Sequence, residues 1–274
     1  MFTLGIDIGS TATKAVILQD GRVLTNKALS PVGAGTSGPD RVLNELFSSS
    51  EIDKKKITNS VVTGYGRMLF KQADRQISEL SCHAKGVHFL MPNARTVIDI
   101  GGQDAKALKL NAQGDLLNFV MNDKCAAGTG RFLDVMAHVL EVTVDQLGEL
   151  SKLSQHPSVI SSTCTVFAES EVISHLASGE KKEDIIYGIN RSIAKRVAGL
   201  VHRVGIEKDV VMTGGVARNS GVVKMMENVL HVAIQVPALA QYTGALGAAL
   251  YAYEQERINQ KKRGVSCDCN GESK

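Results

Sequence analysis

Apolar residues in this chain fall into short continuous runs punctuated by Gly, Asp and Asn, and these runs alternate with stretches of helical spacing. Phe2–Ile8 is almost wholly apolar and predicts a buried strand. Ala15–Leu18 predicts a second, and an Asp20-Gly21 turn leads into a third over Arg22–Ala28, a hairpin meander. Thr36–Asp40 reads as a loop, Asp40–Ser48 as a helix, Ile57–Thr63 as a strand and Ile77–Leu90 as a helix. The pattern then begins again. Thr96–Ile100, Ala105–Leu110 and, after a Gln113-Gly114 turn, Leu116–Met121 make a second run of three strands. Helical spacing follows at Phe132–Leu140, Phe167–Leu176 and Ile185–Val204. Strands at Val210–Met212 and Val232–Val236 flank a helix at Val222–Leu230, and Ala245–Tyr253 predicts a closing helix. From about Gln255 the chain is charged and without periodicity, which reads as a frayed or disordered tail.

Both meanders open on apolar-Asp-Ile-Gly, in Gly5-Ile-Asp-Ile-Gly-Ser10 and in Val97-Ile-Asp-Ile-Gly-Gly102. A repeated strand-turn unit predicts an α/β protein of two related halves facing a cleft, their mixed sheets flanked by helices. The expected division is 1–95 with 243–258 as one half, 96–242 as the other, and 259–274 as a flexible tail.

Composition narrows the picture. The 274 residues are 43% hydrophobic, enough for a large core. The net charge of +3 is dispersed with no basic stripe, there is no Trp, and aromatics make up 4%, which argues against nucleic acid as a partner. No run approaches the ~20 apolar residues of a membrane span, and the N-terminus enters a strand without a leader, so the expectation is a cytoplasmic protein. Five cysteines in such a chain point to core thiols or metal ligands more than to disulfides.

The repeated turns carry the first candidate chemistry. In Asp7-Ile-Gly-Ser-Thr-Ala-Thr-Lys14 a strand ends at a Gly that admits close backbone approach, and hydroxyls and a Lys follow. Backbone N–H groups, Ser/Thr hydroxyls and a lysine suit phosphate oxygens, and Asp7 suits a Mg²⁺ held through water. Asp99-Ile-Gly-Gly-Gln-Asp104 repeats the geometry, with Asp99 in the place of Asp7 and Gln103 suited to orient an attacking water. A third turn, Thr213-Gly-Gly-Val-Ala-Arg-Asn219, lies between a buried strand and a helix and suits a nucleoside. There is no G-x-x-x-x-G-K-[ST] loop and no Rossmann fingerprint. The three turns together resemble the acetate kinase, sugar kinase, Hsp70 and actin superfamily, in which two ribonuclease-H-like halves close on ATP and Mg²⁺.

Two cysteines carry the second. Cys125, in Asp123-Lys-Cys-Ala-Ala-Gly-Thr-Gly130, and Cys164, in Ser161-Ser-Thr-Cys-Thr165, each lie in a polar, turn-prone segment ahead of a helical pattern. A helix N-terminus lowers a thiol pKa, and its free N–H groups suit an anionic iron–sulfur centre. Read alone, each is also compatible with a small buried thiol or with zinc. Two thiolates fall short of a four-ligand site, and two copies of the chain supply four. Cys82 falls within a helical pattern and reads as core, and Cys267 and Cys269 lie in the tail.

The segments Asp123–Asp134 and Ser161–Val172 resemble the signatures of the 2-hydroxyacyl-CoA dehydratase activators, a group that includes the benzoyl-CoA reductase ATPase subunits. The likeness runs from about Leu4 to Tyr253 and takes in Thr63-Gly-Tyr-Gly-Arg67, Asp99–Asp104, Met212–Ala217 and Gly244–Ala249. It implies a homodimer sharing one [4Fe-4S] cluster held by Cys125 and Cys164 of each subunit. It implies Mg-ATP at Ser10, Thr11, Ala12, Thr13 and Lys14, at Gly101, Gly102, Gln103 and Asp104, and at Gly214, Gly215 and Ala217, with Gln241 on the nucleoside side. It also implies an ATP-driven one-electron donor to a dehydratase, itself reduced by a ferredoxin or flavodoxin. Two other readings stay open on the residues alone, a small-molecule kinase and a nucleotide-gated binding module.

Overall fold

The computed structural model describes residues 1–161 and 164–268. The chain forms two compact units, Met1–Phe89 with the segment from Tyr242 onward, and Leu90–Gln241.

In the first unit β1 (Phe2–Ile8), β2 (Thr13–Gln19) and β3 (Val23–Ser30) form an antiparallel meander. β4 (Ile57–Thr63) lies parallel to β1, and a two-residue β5 (Arg75–Gln76) lies parallel to β4, giving the order β3-β2-β1-β4-β5. β1 reads as a continuous apolar run because both its faces are covered. One packs on α1 (Gly38–Ser48) through Ile6, Ile8, Val42 and Leu46. The closing helix α8 (Thr243–Asp268) lies along β1 and β4. Its approach depends on missing side chains. A Cβ on Gly5 would collide with Ala245 O and Ala249 N, and one on Gly247 would collide with the carbonyl of Cys82 on α2 (Glu79–Leu90).

The second unit repeats the plan. β6 (Thr96–Ile100), β7 (Ala105–Leu110) and β8 (Leu116–Asn122) form the meander, and β9 (Val210–Thr213) runs parallel to β6. β10 (Ile234–Gln235) runs parallel to β9, and the order is β10-β9-β6-β7-β8. Between β8 and the long crossover helix α6 (Lys182–Val204) stand three more helices, α3 (Gly130–Val139), α4 (Val144–Ser151) and α5 (Thr165–Ala177). α7 (Ser220–Leu230) packs on α6, and Phe132, Met136, Ile189, Ile193, Val197 and Met212 lie in one buried core.

The mixed sheets flanked by helices agree with the expected fold, and the duplicated strand order is the repeat read from the two Asp-Ile-Gly motifs. Three elements differ. β5 and α4 were not anticipated, since one is two residues long and the other only eight, opened by the Thr143 N–H that Gln146 Oε1 accepts at 2.8 Å. α8 continues to Asp268, where apolar periodicity ends at Tyr253. Gln, Glu, Arg and Lys extend a helix by intrinsic propensity without an apolar face, and a Gln255–Asn259 hydrogen bond of 3.0 Å lies along the extension. The tail read as flexible therefore includes helix as far as 268, and its remainder, with Cys269, lies outside the described residues. No helix among the described residues is long and apolar enough to cross a membrane.

Candidate functional site

The register of the two meanders sets the chemistry. Asp7 stands opposite Lys14 across β1 and β2, and Gly9 N–H donates to Ala12 O at 3.0 Å to close the turn. Asp99 stands opposite Lys106, and Gly101 N–H donates to Asp104 O at 2.9 Å. On the parallel side Asp7 is in register with Thr63 and Asp99 with Thr213. Each threonine precedes a glycine with positive φ, Gly64 at 89° and Gly214 at 86°. A Cβ on Gly64 would lie 2.5 Å from Asp7 Oδ1, and one on Gly214 would collide with Ile100 O, so only glycine lets the chain pass so close to each strand end. Each glycine opens a 3₁₀ turn, over Tyr65–Leu69 and Gly215–Arg218.

The predicted residues are distributed over both units. Asp7 and Asp99 are buried at 4% and 2% exposure. Ser10, Thr11, Ala12 and Lys14 are half-buried on the first turn. Thr13 is buried, with Oγ1 donating to Val32 O at 3.0 Å. On the second turn Gly101, Gly102 and Asp104 are half-buried and Gln103 is exposed. Gly214 N–H donates to Ala240 O at 2.9 Å, and a Cβ on Gly215 would lie 3.5 Å from Gln241 Nε2. The structure thus brings Gln241 against the third turn, where Ala217 is buried and Gly215 exposed.

Sequence reasoning missed Lys106 and Thr213. Lys106 is 1% exposed, with Nζ 3.3 Å from Asp99 Oδ2 and paired also with Asp104 Oδ2. Thr213 Oγ1 donates to Asp99 Oδ1 at 2.7 Å. The signal for Lys106 was present, since Asp7–Lys14 and Asp99–Lys106 have the same spacing in the two repeats. Its counterpart Lys14 lies 4.0 Å from Asp7 Oδ2, with its side chain 18% exposed. Cys82 is core, as expected: burial pushes its thiol up to about 12, against the opposing effect of a hydrogen bond with Thr63. Its neighbour His83 is buried, with Nδ1 3.1 Å from Thr243 Oγ1.

Cys125 and Cys164 are placed differently from one another. Cys164 is the N-cap residue of α5, its thiol is exposed, and its carbonyl accepts Ala168 N–H at 2.9 Å. Cys125 is half-buried in the loop after β8, and Asn122 Nδ2 donates to its carbonyl at 2.8 Å. Cys125 lies near a helix start, as expected, but four positions ahead of the Thr129 cap and not on the cap itself. Residues Ala126–Thr129 intervene, and Thr129, the N-cap residue of α3, donates its hydroxyl to Ala126 O at 2.6 Å. The first amides of α3 are taken up elsewhere: Gly130 N–H donates to Gly101 O at 2.8 Å and Arg131 N–H to Gly102 O at 2.7 Å. The Gly101–Asp104 turn and the helix beyond the Cys125 loop are therefore joined by two backbone hydrogen bonds. Val166 and Phe167, next to Cys164, are 66% and 69% exposed. Among the described residues of one chain, no group of three or more His, Cys, Asp or Glu suits a metal ion.

The BadF/BadG/BcrA/BcrD ATPase family profile matches residues 4–252. The 2-hydroxyisocaproyl-CoA dehydratase activator of Clostridioides difficile is 58% identical over 262 residues, 96% of this chain and 98% of that one. The (R)-2-hydroxyglutaryl-CoA dehydratase activating ATPase of Acidaminococcus fermentans is 58% identical over 256 residues, 93% of this chain and 98% of that one. Among solved structures, the activator of the 2-hydroxyisocaproyl-CoA dehydratase from Clostridium difficile with bound ADPNP has a TM-score of 0.94, covering 96% of this chain and 98% of its own. A ROK family glucokinase from Streptomyces griseus, 12% identical with a TM-score of 0.58 and covering 93% of this chain and 100% of its own, shares the fold.

Proposed function

The chain belongs to the BadF/BadG/BcrA/BcrD ATPase family, and from that premise we propose that it is the ATP-dependent one-electron donor that activates a 2-hydroxyacyl-CoA dehydratase. The names of relatives 58% identical over nearly the whole chain support this reading.

In this proposal Ser10–Lys14, Gly101–Asp104, Gly214, Gly215, Ala217 and Gln241 bind the nucleotide. Asp7 and Asp99 hold Mg²⁺ through water, and Gln103, exposed at the tip of its turn, orients the water that attacks the γ-phosphate. The thiols fit an iron–sulfur cluster as a donor set. Unlike Cys82, Cys125 and Cys164 reach the surface, and a two-fold pair of chains supplies four thiolates from the loop ahead of α3 and the N-cap of α5, two helices that pack together. When bound, such a cluster carries the single low-potential electron.

The observation that carries the coupling is the pair of hydrogen bonds from Gly130 and Arg131 to the carbonyls of Gly101 and Gly102. A change in the Gly101–Asp104 turn on ATP binding or hydrolysis passes to α3 through these bonds, and α3 follows directly on the Cys125 loop. The protein works in the cytoplasm, as a homodimer, taking its electron from a ferredoxin or flavodoxin.

Anaerobic purification tests the reading. The expected product is a brown dimer with about four irons per dimer. Cys125→Ala removes iron and dimer together and leaves the folded ATPase unit behind. A colourless monomer with undiminished ATPase overturns the proposal.

A further inference from the structure

The long crossover helix α6 contains no acid from Ile185 to its end at Val204, and its exposed positions are Arg191, Lys195, Arg196, Gly199, His202 and Arg203. Steps of three and four residues put all six on one face. Among the described residues none of these side chains makes an ion pair, and the buried Asp184 of the first turn accepts instead from Ser154 Oγ and the amides of Gln155 and His156. The dispersed charge of the sequence is thus gathered by folding into a local cationic stripe.

This stripe borders both cysteine segments. A cavity of about 460 Å³ is lined by Arg196 and Arg203 with Asn122, Ala127 and Gly128, the last two from the Cys125 loop. A second, of about 420 Å³, shares Ala127, Gly128 and Arg196 and adds Lys195, Val159 and Ser161, the last three positions ahead of Cys164. Neither cavity has an acidic residue in its lining. The Arg196 stem also lies against the loop, since a Cβ on Gly128 would sit 3.3 Å from its Cγ.

Resting on the function proposed above, we infer that this α6 face is the docking surface for a small acidic one-electron carrier protein. Unpaired cations with no anion among them attract an acidic surface, and electron-carrier encounters are small, transient and steered by charge. The position fits that occupant, because a carrier seated over Arg196 and Arg203 abuts the loop of Cys125. Nucleic acid fits poorly: the one aromatic residue of the two linings, Phe132, is 2% exposed and offers no face for base stacking. In the transfer one electron leaves the reduced carrier and one enters the iron–sulfur centre, with no bond made or broken.

The test uses the whole protein and oxidised ferredoxin, a strongly acidic carrier, so that binding is read independently of iron content. Ferredoxin should bind the wild type with an association rate that falls steeply with salt. Lys195→Glu/Arg203→Glu should slow association about tenfold and flatten the salt dependence, and Arg203→Gln should give an intermediate loss. ATPase activity reports folding and should stay at the wild-type level. Anaerobic reduction by dithionite should be the same in wild type and variants, while reduction by ferredoxin falls in the variants. Equal ferredoxin binding by wild type and variants, or none by either, overturns the docking surface. So does loss of dehydratase binding with ferredoxin binding intact, or preferential binding of a single-stranded oligonucleotide. Absence of any dithionite-reducible iron instead sinks the function proposed above, and the ferredoxin-binding result still decides the surface.

Discussion

The two units solve the same problem with the same frame and diverge at one connection. In the first, the chain leaving β3 returns to the turn after β1, where Ala34 N–H donates to Gly9 O at 2.9 Å, and then enters α1. In the second, the chain leaving β8 makes the matching contact, Gly130 N–H to Gly101 O, but only after the Cys125 loop and before three inserted helices. The contact between a turn and the segment after the third strand belongs to the repeat itself. The cysteine loop is placed beside a link that the fold already had. A second divergence lies within the turns: Lys14 faces partly into solvent, whereas Lys106 is locked between Asp99 and Asp104.

Removing each lysine separates the two roles most strongly. Lys106→Met leaves the buried Asp99 carboxylate without its cation and should cost about 3–5 kcal/mol of stability. Lys14→Met removes a cation 4.0 Å from its carboxylate, at the limit of an ion pair, so it should cost less than Lys106→Met and act instead on ATP turnover. Denaturant unfolding of both variants beside their ATPase rates decides the matter. Equal stability losses break the distinction drawn between the repeats.

The registered threonines give the next largest effect. Thr213 Oγ1 donates to a buried carboxylate, whereas its counterpart Thr63 donates to the carbonyl of Ile77 at 2.9 Å. Thr213→Val should cost about 1.5–3 kcal/mol, the range for a hydrogen bond to a charged group, and Thr63→Val about 0.5–1.5 kcal/mol. The reverse order in thermal unfolding contradicts the assignment of Thr213 to Asp99.

Much of this comparison was legible in the chain. The duplicated Asp-Ile-Gly motif gave both meanders, because a strand buried on both faces is written as an apolar run and a turn as glycine. The glycines after Thr63 and Thr213 were legible for the same reason. Lys106 was not, because a lysine inside a strand pattern ordinarily faces water, and only superposing one repeat on the other exposes it. Nor were the partners of the first amides of α3. Cap preference marks Thr129 and glycine as a helix start, but which carbonyls receive the first amides is set by Gly101 and Gly102, far off in sequence. The basic face of α6 was hidden in the same way, since its cations are dispersed in sequence and meet only at helical spacing.

The link from turn to helix can be cut at one atom. Gly130 is the first residue of α3, a position where proline is accommodated, and Thr129 before it is extended at φ −123° and ψ 174°, as a residue preceding proline prefers. Gly130→Pro removes the N–H donated to Gly101 O and sets the ring Cδ against that oxygen, so it should force the turn away from α3 and cost more than the about 0.5–1.5 kcal/mol of a lost hydrogen bond. ATPase should persist while activation of the dehydratase per ATP hydrolysed falls. Gly130→Ala controls for the added bulk, its Cβ lying 3.1 Å from Gly101 O. Ala34→Pro, the matching cut in the first unit, should alter ATP turnover without uncoupling it. If Gly130→Pro leaves the yield of activation per ATP at the wild-type value, the hydrogen bonds are not the route.

The smallest effect concerns how the inserted segment is held, for which the first unit has no counterpart. Asp184, in the first turn of α6, accepts from Ser154 Oγ at 2.7 Å, from His156 N–H at 2.8 Å and from Gln155 N–H at 2.9 Å. The Ser154 hydroxyl first, and then the backbone donors, hold its carboxyl below the ordinary value of 3.8. A depressed folded value means that the carboxylate's contribution is complete above the unfolded pKa and is lost as pH falls through the folded one. Amide exchange at Gln155 and His156, corrected for intrinsic rates, should therefore stay protected at neutral pH and rise in acid below about pH 4. Asp184→Asn should show that raised exchange already at pH 7, confined to the segment leading to Cys164, with the sheet amides unchanged. Unaltered protection in the variant would mean that the segment is held by its packing and not by this carboxylate, and the insertion would then be as self-supporting as the repeat that carries it.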